Sequence, residues 1–371
     1  MFVGAGISNL YCAWMYRQKL PSAKIIFLEK SHRVGGRVAV GRFCGVDVVK
    51  GAGVGRFGKD KLLFQLLKEL SIPVQIIRNS RENLFLKKTV GILEKAKANA
   101  KANADYTKGE TFRDFAVRVL GQHKYDRFVV ACGYSDFESY DPEIALKWYG
   151  FDDLYGSRGI FIFSWKRLLK ALTIGQDIDI RFGQNVDHVE AGTAYVGDKA
   201  YKAKNICIGI PASGLRKLFH DVKEYAFIGG QPFIRVYAKL DKPLPIAGST
   251  VVDSHLQKII PISHDKLVYM IAYADNKHAI EIRKWEKEGF ERELGRLFGD
   301  GKNSFAIQKL VKYYWSTGTH YYKPGASLKS NRFYRPMNNI FVVGEAVANN
   351  QGWTESAFCT VRKALKRMMM R

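Results

Sequence analysis

The chain has 371 residues, of which 47% are hydrophobic, so it can bury a sizeable core and is expected to form two domains. Its 59 Lys and Arg residues exceed its 35 Asp and Glu residues, which gives a formal net charge of +24. This excess indicates either a role in solubility or an anionic partner, such as nucleic acid, an acidic protein or a membrane surface. The ordinary counts of Gly (34) and Pro (10) exclude a collagen-like chain and give no sign of disorder.

The five cysteines are widely scattered and none forms a C-x-x-C pair. A disulfide framework or a zinc site is therefore not expected, and we predict no metal. This usage fits a reducing compartment, the cytoplasm or nucleus. No run reaches the ~18 apolar residues that a membrane span needs. We expect no signal peptide, because the first predicted strand begins at Met1.

The N-terminal residues predict one βαβ unit. Residues 1–3 form a short strand, residues 10–19 a helix and residues 24–29 a buried strand that ends on an acid. Gly4 and Gly6 lie in the turn between the first strand and the helix. Such a turn lets backbone N–H groups approach a pyrophosphate at the N-terminus of the helix.

Two further residues bear on this anion site. Asn9 stands where a third glycine is usual, and we expect it to loosen the packing of helix on strand without removing the site. Glu29 ends the second strand, where a carboxylate can accept both ribose hydroxyls and disfavours a 2′-phosphate. The glycine turn and the acid together predict a bound dinucleotide.

The rest of the chain predicts a mixture of helices and strands. Leucines recur at helical spacing from residue 62 to residue 70, and residues 73–155 are expected to be mainly helical. Within that region, residues 94–105 are rich in Lys, Ala and Asn and predict a solvated basic helix or a mobile loop. Further strands are predicted at residues 179–182 and 205–210, within residues 232–273 and at residues 339–345. Amphipathic and C-terminal helices are predicted at residues 279–298 and 354–370.

At this point the sequence resembles a known family. The segment from Glu29 to Arg37, with its Gly35-Gly36 pair, is similar to the second fingerprint of FAD-dependent amine oxidases. That family includes monoamine oxidases, polyamine oxidases and lysine-specific histone demethylases. In the family, the Gly-Gly backbone and the Arg lie near the FAD phosphates and ribitol. Compact versions occur in large DNA viruses, which would make the virion a possible location.

Three later segments resemble the same family. Residues 51–54 are similar to the segment that runs beside the flavin, and Val186 sits where the family's backbone holds adenine. Residues 343–346 and 352–357 match the last motif, in which an acid faces the ribityl chain and a helix N-terminus faces the flavin pyrimidine. A partial positive charge at that helix end would stabilise a reduced, anionic flavin.

The resemblance implies an α/β fold, with a Rossmann-like FAD-binding domain and an interleaved α+β substrate domain of mixed sheet plus helices. Residues 1–72, 156–230 and 335–371 would form the FAD-binding domain, and residues 73–155 and 231–334 the substrate domain. The implied FAD-binding residues are Gly4, Gly6, Ile7, Ser8, Glu29, Lys30, Gly36, Arg37, Gly53, Val54, Val186, Gly344, Glu345, Trp353, Thr354 and Ala357.

The family's reaction moves a hydride from a substrate C–N bond to flavin, with O2 as the final acceptor. Trp353 stands where the family often has a Tyr or Trp beside the flavin, and Trp315 marks a segment that resembles the opposite aromatic wall. No cysteine lies near Thr319, where monoamine oxidases attach FAD, so the resemblance implies a non-covalent flavin.

The chain departs from the family at the lysine that reaches the flavin through water. Arg235 occupies that position, and an Arg is always charged, so it cannot cycle a proton. It could still attract superoxide or an anionic substrate. Lys239 is a fallback, because an even offset directs it to the same strand face. We nevertheless expect Arg235, Trp315 and Trp353 to be the catalytic positions.

Three functions remain open. In the first, the chain is an amine oxidase acting on a small-molecule or peptide amine. A protein of this charge repels cationic amines unless the mouth of the site is acidic. The candidates for such a mouth are Glu138, Asp141, Asp152 and Asp153.

In the second, the chain is a catalytically weak or inactive flavoprotein whose basic surface binds nucleic acid or an acidic partner. Its basic stretches are residues 87–88, 95–101 and 362–367, although the last also fits an ordinary solvated helix. Membrane contact through residues 368–370 is a weaker alternative. In the third function, the fold is kept and the substrate is an anionic sugar nucleotide or a carotenoid-like lipid, as in related flavoprotein families. Arg235 would suit the anion.

Overall fold

The structure is a computed structural model that describes residues 1–78, 82–102, 109–156, 158–299, 304–326 and 331–369. Its strands, in chain order, are β1 (Phe2–Val3), β2 (Ile25–Leu28), β3 (Val40–Phe43), β4 (Val46–Val49), β5 (Gly55–Arg56), β6 (Val74–Ile77), β7 (Ile160–Phe163), β8 (Ile178–Arg181), β9 (His188–Glu190), β10 (Thr193–Val196), β11 (Lys199–Lys202), β12 (Ile206–Ile208), β13 (Ile228–Leu240), β14 (Thr250–Val251), β15 (Lys258–Ser263), β16 (Val268–Asp275), β17 (Ile307–Tyr322) and β18 (Ile340–Val342).

The helices are α1 (Ile7–Lys19), α2 (Lys61–Glu69), α3 (Leu84–Ala102), α4 (Phe112–Leu120), α5 (Gln122–Cys132), α6 (Pro142–Trp148), α7 (Asp152–Tyr155), α8 (Trp165–Ala171), α9 (Ala212–Leu218), α10 (Asn276–Arg283), α11 (Lys287–Phe298) and α12 (Thr354–Met369). Short 3₁₀ turns cover Lys223–Phe227, Asn331–Phe333 and Glu345–Val347. No helix in the described part of the chain has the length and hydropathy that a membrane crossing requires.

A five-stranded parallel sheet, in the order β18-β12-β1-β2-β8, forms the first half of the molecule. The two-residue β1 is the central strand of this sheet, and it is held there by pairing with β2 on one side and β12 on the other. Phe2 stacks on Phe27 of β2 with the ring centroids 4.8 Å apart. All five strands fall in the segments expected to bind the dinucleotide, while the domain boundaries themselves stay predictions.

Three helices form one layer against this sheet. α12 packs beside both α1 and α2. Tyr11 of α1 stacks on Phe358 of α12 at 4.1 Å, and both rings are buried. The predicted βαβ unit is present, although α1 begins at Ile7 rather than at residue 10. The Gly4–Gly6 turn therefore joins the end of β1 directly to the start of α1.

A second, antiparallel sheet has the order β14-β15-β16-β13-β17. Its apolar face is covered by α10 and α11, whose Ile282 and Phe290 are buried in the core of this half. The single helix predicted at residues 279–298 is wrong, because one helix ends at Arg283 and the next begins at Lys287. Trp285 occupies the break and packs against Phe290 with the ring centroids 5.5 Å apart, which fixes the angle between the two helices.

Helices α3 to α6 form a lobe with an aromatic core of Phe112, Phe128, Phe137 and Phe151. α3 runs to Ala102, so the described part of the Lys/Ala/Asn-rich stretch is a helix. It is not wholly solvated, since the buried Lys97 lies over Phe115. Residues 103–105 of the predicted stretch lie outside the described residues.

Three small antiparallel units complete the fold. β3 and β4 form a hairpin, β9, β10 and β11 form an exposed sheet, and β5, β7 and β6 form a third sheet. This third sheet joins strands from both predicted domains, since β6 follows residue 73 whereas β5 and β7 lie in the predicted FAD-binding segments.

Candidate functional site

The N-terminal turn has the backbone geometry that an anion site needs. Gly4 has a φ of +87°, and a Cβ there would lie 2.9 Å from the Gly209 carbonyl oxygen. Gly6 is the N-cap of α1 and, as a glycine, offers no side-chain acceptor to the first N–H groups of the helix. An uncapped helix start carries a partial positive charge and free donors, which suit a phosphate.

Asn9 strengthens the packing that it was expected to loosen. Its side chain is fully buried, and Nδ2 donates to the carbonyls of Val3 and Gly4 at 2.8 and 2.7 Å. Room for it comes from Gly209, where a Cβ would lie 2.9 Å from the Asn9 amide. The close approach that a third glycine usually permits is therefore provided by a glycine on the neighbouring strand end, and the expected loosening is wrong.

Glu29 lies at the end of β2 beside the turn. Its Oε2 accepts from the backbone N–H of Ala5 at 2.6 Å. Its Oε1 accepts from the N–H and the hydroxyl of Ser31 at 2.8 and 2.7 Å. Gln184 donates its backbone N–H to the Glu29 carbonyl, which brings the half-buried Val186 segment to the same sheet edge. The structure thus places the predicted ribose and adenine positions together.

The Gly35-Gly36 pair crosses directly over the N-terminal turn. Gly35 donates its N–H to the Ala5 carbonyl at 2.8 Å and forms a bridge with Gly6. A Cβ on Gly36 would lie 3.3 Å from the Gly6 Cα, and Gly36 has a φ of +60°. The two backbones are so close here that a side chain on Gly36 would crowd Gly6. The N-terminal turn and the Gly35-Gly36 segment are therefore in direct contact.

Arg37, Glu345 and His320 link the two ends of the chain. Arg37 Nη2 donates to Glu345 Oε2 at 2.6 Å, and Nη1 donates to the Gly318 carbonyl. His320 Nε2 accepts from the Ala212 N–H, so Nδ1 carries the proton and donates to Glu345 Oε2 at 2.7 Å. Burial acts to raise the pKa of Glu345, but Arg37 and His320 outweigh it and hold that pKa well below its usual range. His320 had not been assigned a role, because no motif marks it.

The C-terminal motif reaches the same place. A Cβ on Gly344 would lie 3.5 Å from the Ser8 hydroxyl, and Gly344 has a φ of +116°. Glu345 Oε1 also accepts from the Gly352 N–H at 3.2 Å, which holds the turn before α12. The first turn of α12 is buried at Thr354 and Ala357. The first and last motifs are therefore in contact, as the resemblance implied.

Residues 49–53 form a segment that both halves of the molecule contact. From the second sheet, Tyr237 donates to the Val49 carbonyl at 2.6 Å and Trp315 Nε1 to the Lys50 carbonyl at 2.7 Å. From α8, Trp165 Nε1 donates to the Gly53 carbonyl at 2.6 Å. It overlaps the segment predicted to run beside the flavin, residues 51–54, and Trp165 is a contact that no motif indicated.

Arg235 lies against the same segment. A Cβ on Gly53 would be 3.2 Å from Arg235 Nη2, so the guanidinium touches the glycine backbone. Arg235 is 2% exposed and lies over Tyr273 at 4.3 Å from the ring centroid. None of the ion pairs among the described residues involves it, and its Nε has no hydrogen-bond acceptor there. A buried, permanently charged group thus faces the predicted flavin position.

Lys239 is not an alternative to Arg235 at this segment. The two residues share a strand face with Tyr237, as predicted, but Tyr237 already lies beside Val49. Lys239 lies two residues farther along, where it lines a surface groove of about 340 Å³ with Cys44 and Lys266. Of Arg235 and Lys239, Arg235 is the one that reaches the Gly53 backbone.

The two predicted aromatic residues, Trp353 and Trp315, contact different partners. Trp353 Nε1 donates to Asp60 Oδ2 at 2.7 Å, and its ring meets Trp165 edge-to-face at 6.3 Å. Trp315 packs under Arg33, whose guanidinium carbon is 5.6 Å from the indole centroid. Both indoles are half-buried with their N–H groups engaged, so each has a fixed orientation.

The remaining predicted FAD-binding residues divide by exposure. Ile7 is buried in the core between α1 and the sheet, so its backbone alone is available to a ligand. Lys30 and Val54 are exposed on the two sides of the turn. Their positions beside Glu29 and Gly53 agree with the chain order of the motifs but add no further contact.

The predicted acidic mouth is wrong. Glu138 is buried and accepts from Tyr125 at 2.8 Å, and Asp141 caps α6 by accepting from two backbone N–H groups. Asp152 and Asp153 pair with Lys59 and Arg56 at 2.5 and 3.0 Å. All four carboxylates serve helix ends, buried hydrogen bonds or ion pairs, so none of them presents an unengaged carboxylate to an approaching cation.

A second titratable cluster lies where the helical lobe meets the second sheet, close to Arg235. Burial and the neighbouring Asp275 raise the pKa of Asp136 to about 8. Burial lowers the pKa of Lys258 to about 8, and its ammonium lies 3.7 Å from the centroid of Tyr134. Tyr134 in turn meets Tyr273 edge-to-face at 5.5 Å, and Tyr273 lies under Arg235.

The donor set fits an FAD molecule. Glycine-only crossings at Gly4 and Gly36, an uncapped helix and the Glu29 carboxylate are what a dinucleotide diphosphate requires. The described residues contain no group of three or more His, Cys, Asp or Glu side chains that could share a metal ion.

Comparisons with known proteins identify the fold. Residues 3–70 match the NAD(P)-binding Rossmann-like domain. A search of curated proteins gave no match. Similar solved structures include a double mutant of putrescine oxidase from a redesign of its cofactor binding, with a TM-score of 0.78 and 15% identity over 100% of this chain and 98% of that chain. Wild-type putrescine oxidase bound to putrescine gives a TM-score of 0.75 at 15% identity, with the same coverage.

Cyclohexylamine oxidase from Brevibacterium oxydans IH-35A is also similar, with a TM-score of 0.77 and 13% identity over 100% of this chain and 99% of that chain. The chain therefore has the fold of these amine oxidases over its whole length. This confirms the α/β fold class and the resemblance that the motifs indicated, at the level of the fold.

Proposed function

We propose that this protein binds FAD non-covalently and uses it to oxidise a substrate C–N bond, with O2 as the electron acceptor. The observation that carries the proposal is the convergence of three predicted motifs: the N-terminal turn, the Glu29–Arg37 segment and the C-terminal motif. Gly6 meets Gly36, Ser8 meets Gly344, and Arg37 pairs with Glu345, all beside the uncapped start of α1. The similarity in fold to putrescine oxidase and cyclohexylamine oxidase supports the same reaction class.

Each part of the site would hold a different part of the cofactor. Glu29 and the Val186 segment would take the adenosine, and the N–H groups at the start of α1 the diphosphate. Arg37 and Glu345 would face the ribityl chain, and the start of α12 the flavin ring. When bound, the flavin would supply the acceptor for a hydride from the substrate carbon next to nitrogen.

The chain's own residues determine how the substrate is received. Trp315 and Trp353 have fixed indoles and would bound the space beside residues 49–53. Arg235 places a permanent positive charge against Gly53. It would stabilise negative charge on a reduced flavin or attract an anionic oxygen species or substrate group, and it would not accept a proton.

A second candidate function is a flavin-binding protein with weak or no amine oxidation. The observation that favours it is Arg235, because a guanidinium in this position cannot move protons as a lysine could. The net charge of +24 also opposes entry of cationic amines, since the four carboxylates predicted to form an acidic mouth are buried or ion-paired.

Anaerobic mixing separates the two candidates. The purified yellow protein would be mixed without oxygen with putrescine, cyclohexylamine, neutral amines and amines that carry a carboxylate. Bleaching of the flavin absorbance by any of them supports amine oxidation, and admission of O2 should restore the colour. Absence of bleaching across the panel supports the second candidate. Acid precipitation tests the bond to FAD: a yellow pellet would contradict non-covalent binding.

A further inference from the structure

One helical layer carries a net charge of +6, which is a quarter of the formal net charge of +24. α1, α2 and α12 together carry eight Lys and Arg residues and two carboxylates, Glu69 and Glu355. Glu355 turns inward and accepts from the backbone N–H groups of Leu62 and Leu63 at 2.8 and 2.9 Å. The helices on the second sheet, α10 and α11, instead carry five cations and four carboxylates. The charge is therefore not spread evenly over the surface.

α12 presents the densest part of this charge. Arg362, Lys363, Lys366 and Arg367 are all exposed, and their spacing of three to five residues places them on one face across two turns. The opposite face, with Val361, Ala364, Leu365 and Met368, is buried. These four cations are named here the α12 basic face. Lys363 lies over the half-buried Tyr334 at 5.8 Å, so an aromatic ring borders the cations.

Other basic stretches do not form a comparable surface. In the helical lobe, Lys87 pairs with Glu82 at 2.9 Å and Lys101 with Glu143 at 3.3 Å, while Lys97 is buried. The exposed β9–β11 sheet, residues 187–204, carries three lysines and three acids. Among the described helices, the shorter α8 exposes three cations, Lys166, Arg167 and Lys170. The α12 basic face has four, and its neighbours α1 and α2 add little negative charge.

We propose that the α12 basic face binds the phosphate backbone of a nucleic acid without sequence specificity. Contacts to phosphates need only exposed Lys and Arg side chains, and each contact displaces a bound counterion. A protein partner would need an apolar centre in the interface, and a lipid surface would need exposed apolar side chains beside the cations. The apolar residues of α12 between Val361 and Met368 face inward, so the exposed face offers neither.

Fluorescence anisotropy with a short labelled DNA duplex of arbitrary sequence tests this proposal on the full-length, flavin-loaded protein. We expect binding that weakens steeply between about 50 and about 200 mM salt. The variant R362Q/K363Q/K366Q should reduce the slope of log K against log salt by about three and weaken binding at least about tenfold. Glutamine keeps the helix propensity of the replaced residues, and each single substitution should lower the slope by about one.

The control variant K199Q/K202Q/K204Q removes the same charge from the exposed β9–β11 sheet. It should bind DNA like the wild type. Equal weakening in both variants would show a general effect of net charge and overturn the proposal. So would the absence of DNA binding, or tighter binding to vesicles of phosphatidylserine and phosphatidylcholine or to a polyglutamate peptide than to DNA. Flavin content and amine-dependent bleaching should be the same in all variants, so failure here is distinguishable from failure of the proposed oxidase function.

Discussion

Single residues at the site carry charges that the surrounding fold must balance. Glu345 is the best-balanced case, since its carboxylate accepts from Arg37, from the His320 side chain and backbone, and from Gly352. Arg235 is the opposite case, because its buried guanidinium meets rings and a sulfur atom rather than a carboxylate. The two residues should therefore respond in opposite directions when their charge is removed.

Glu345→Gln should lower the free energy of unfolding by roughly 3 kcal/mol at neutral pH, because it leaves Arg37 with a buried neutral partner. The folded-state pKa of Glu345 lies below its unfolded value of 4.5, so its stabilisation is present above that pH and is lost as pH falls below it. Urea unfolding at about pH 7 and about pH 4 measures both effects. The gap between wild type and variant should narrow at the lower pH.

The matched control is Glu190→Gln, which alters an exposed carboxylate that accepts from Tyr195. It should change the unfolding free energy little at either pH. An equal loss in the two variants, or a gap for Glu345→Gln that is independent of pH, would show that the Arg37–Glu345–His320 network does not stabilise the fold in this way.

Arg235→Met should stabilise the flavin-free protein by about 1 kcal/mol, because an apolar side chain of similar length removes an unpaired buried charge. The same change should slow amine-dependent bleaching if Arg235 faces the reacting flavin. Thermal unfolding and stopped-flow absorbance measure the two effects. Arg216→Met is the control: Arg216 donates to the Ile228 carbonyl at 2.9 Å, so its loss should destabilise. A destabilised Arg235→Met would mean that stacking on Tyr273 outweighs the desolvation of the charge.

At the scale of elements, the cofactor site is a crossing of backbones. The turn before α1 meets the Gly35-Gly36 segment from one side and the Gly344 turn from another. Asn9 and Gly209 fix the height of α1 above the sheet. Apart from these Asn9 contacts and the Glu29 carboxylate that accepts from Ala5, the geometry of the crossing depends on glycines at a few positions.

Gly36→Ala should weaken FAD binding at least about tenfold, because its Cβ would press on Gly6 and displace the start of α1. Its matched control is Gly175→Ala, since Gly175 has a similarly positive φ of +74° and a Cβ there would meet no atom within 4 Å. Both variants carry backbone strain of about 1 kcal/mol, but only Gly36→Ala adds a collision at the site. Fluorescence titration of the flavin-free proteins with FAD gives the comparison. Equal affinities would contradict the crossing as the binding site.

At the scale of the whole molecule, the helical lobe and the second sheet meet over ionisable groups rather than over a purely apolar core. Asp275 accepts from the backbone N–H and hydroxyl of Ser135 at 3.0 and 2.7 Å, which ties β16 to the end of α5. Asp136 accepts from Tyr149, and Lys258 lies over Tyr134. This junction adjoins Arg235, so the protonation of its carboxyls bears on how the two halves hold the site.

Asp136→Asn should be more stable than the wild type at about pH 8 and close to it at about pH 4. The folded-state pKa of Asp136, about 8, lies above its unfolded value of 3.8, so the folded state holds the proton more tightly. Wild-type stability from this group therefore falls as pH rises through that window, while the variant has no proton to lose. Urea unfolding across the window tests this, with Asp198→Asn as an exposed control. A constant difference at all pH values would contradict a raised pKa.

Local patterns determined much of this protein from the sequence alone. The β1–α1–β2 unit, the Gly4–Gly6 turn, Glu29 and the C-terminal strand and helix all depend on short-range spacing of glycines, acids and apolar residues. The fold class came from the resemblance of those motifs, in their order, to the amine oxidase family. The excess of positive charge was also evident, since it requires only counting.

Tertiary structure decided what depends on contacts between distant residues. The packing role of Asn9 depends on Gly209, which faces its side chain from a distant part of the sequence. The role of His320 depends on β17, which places its ring beside Glu345. The sequence could not show which of the four candidate mouth carboxylates are engaged, because their partners are hydrogen-bond donors from other parts of the fold. The choice between Arg235 and Lys239 depended on which of them reached Gly53. A residue's type follows from the sequence, whereas its partners follow from packing across the whole fold.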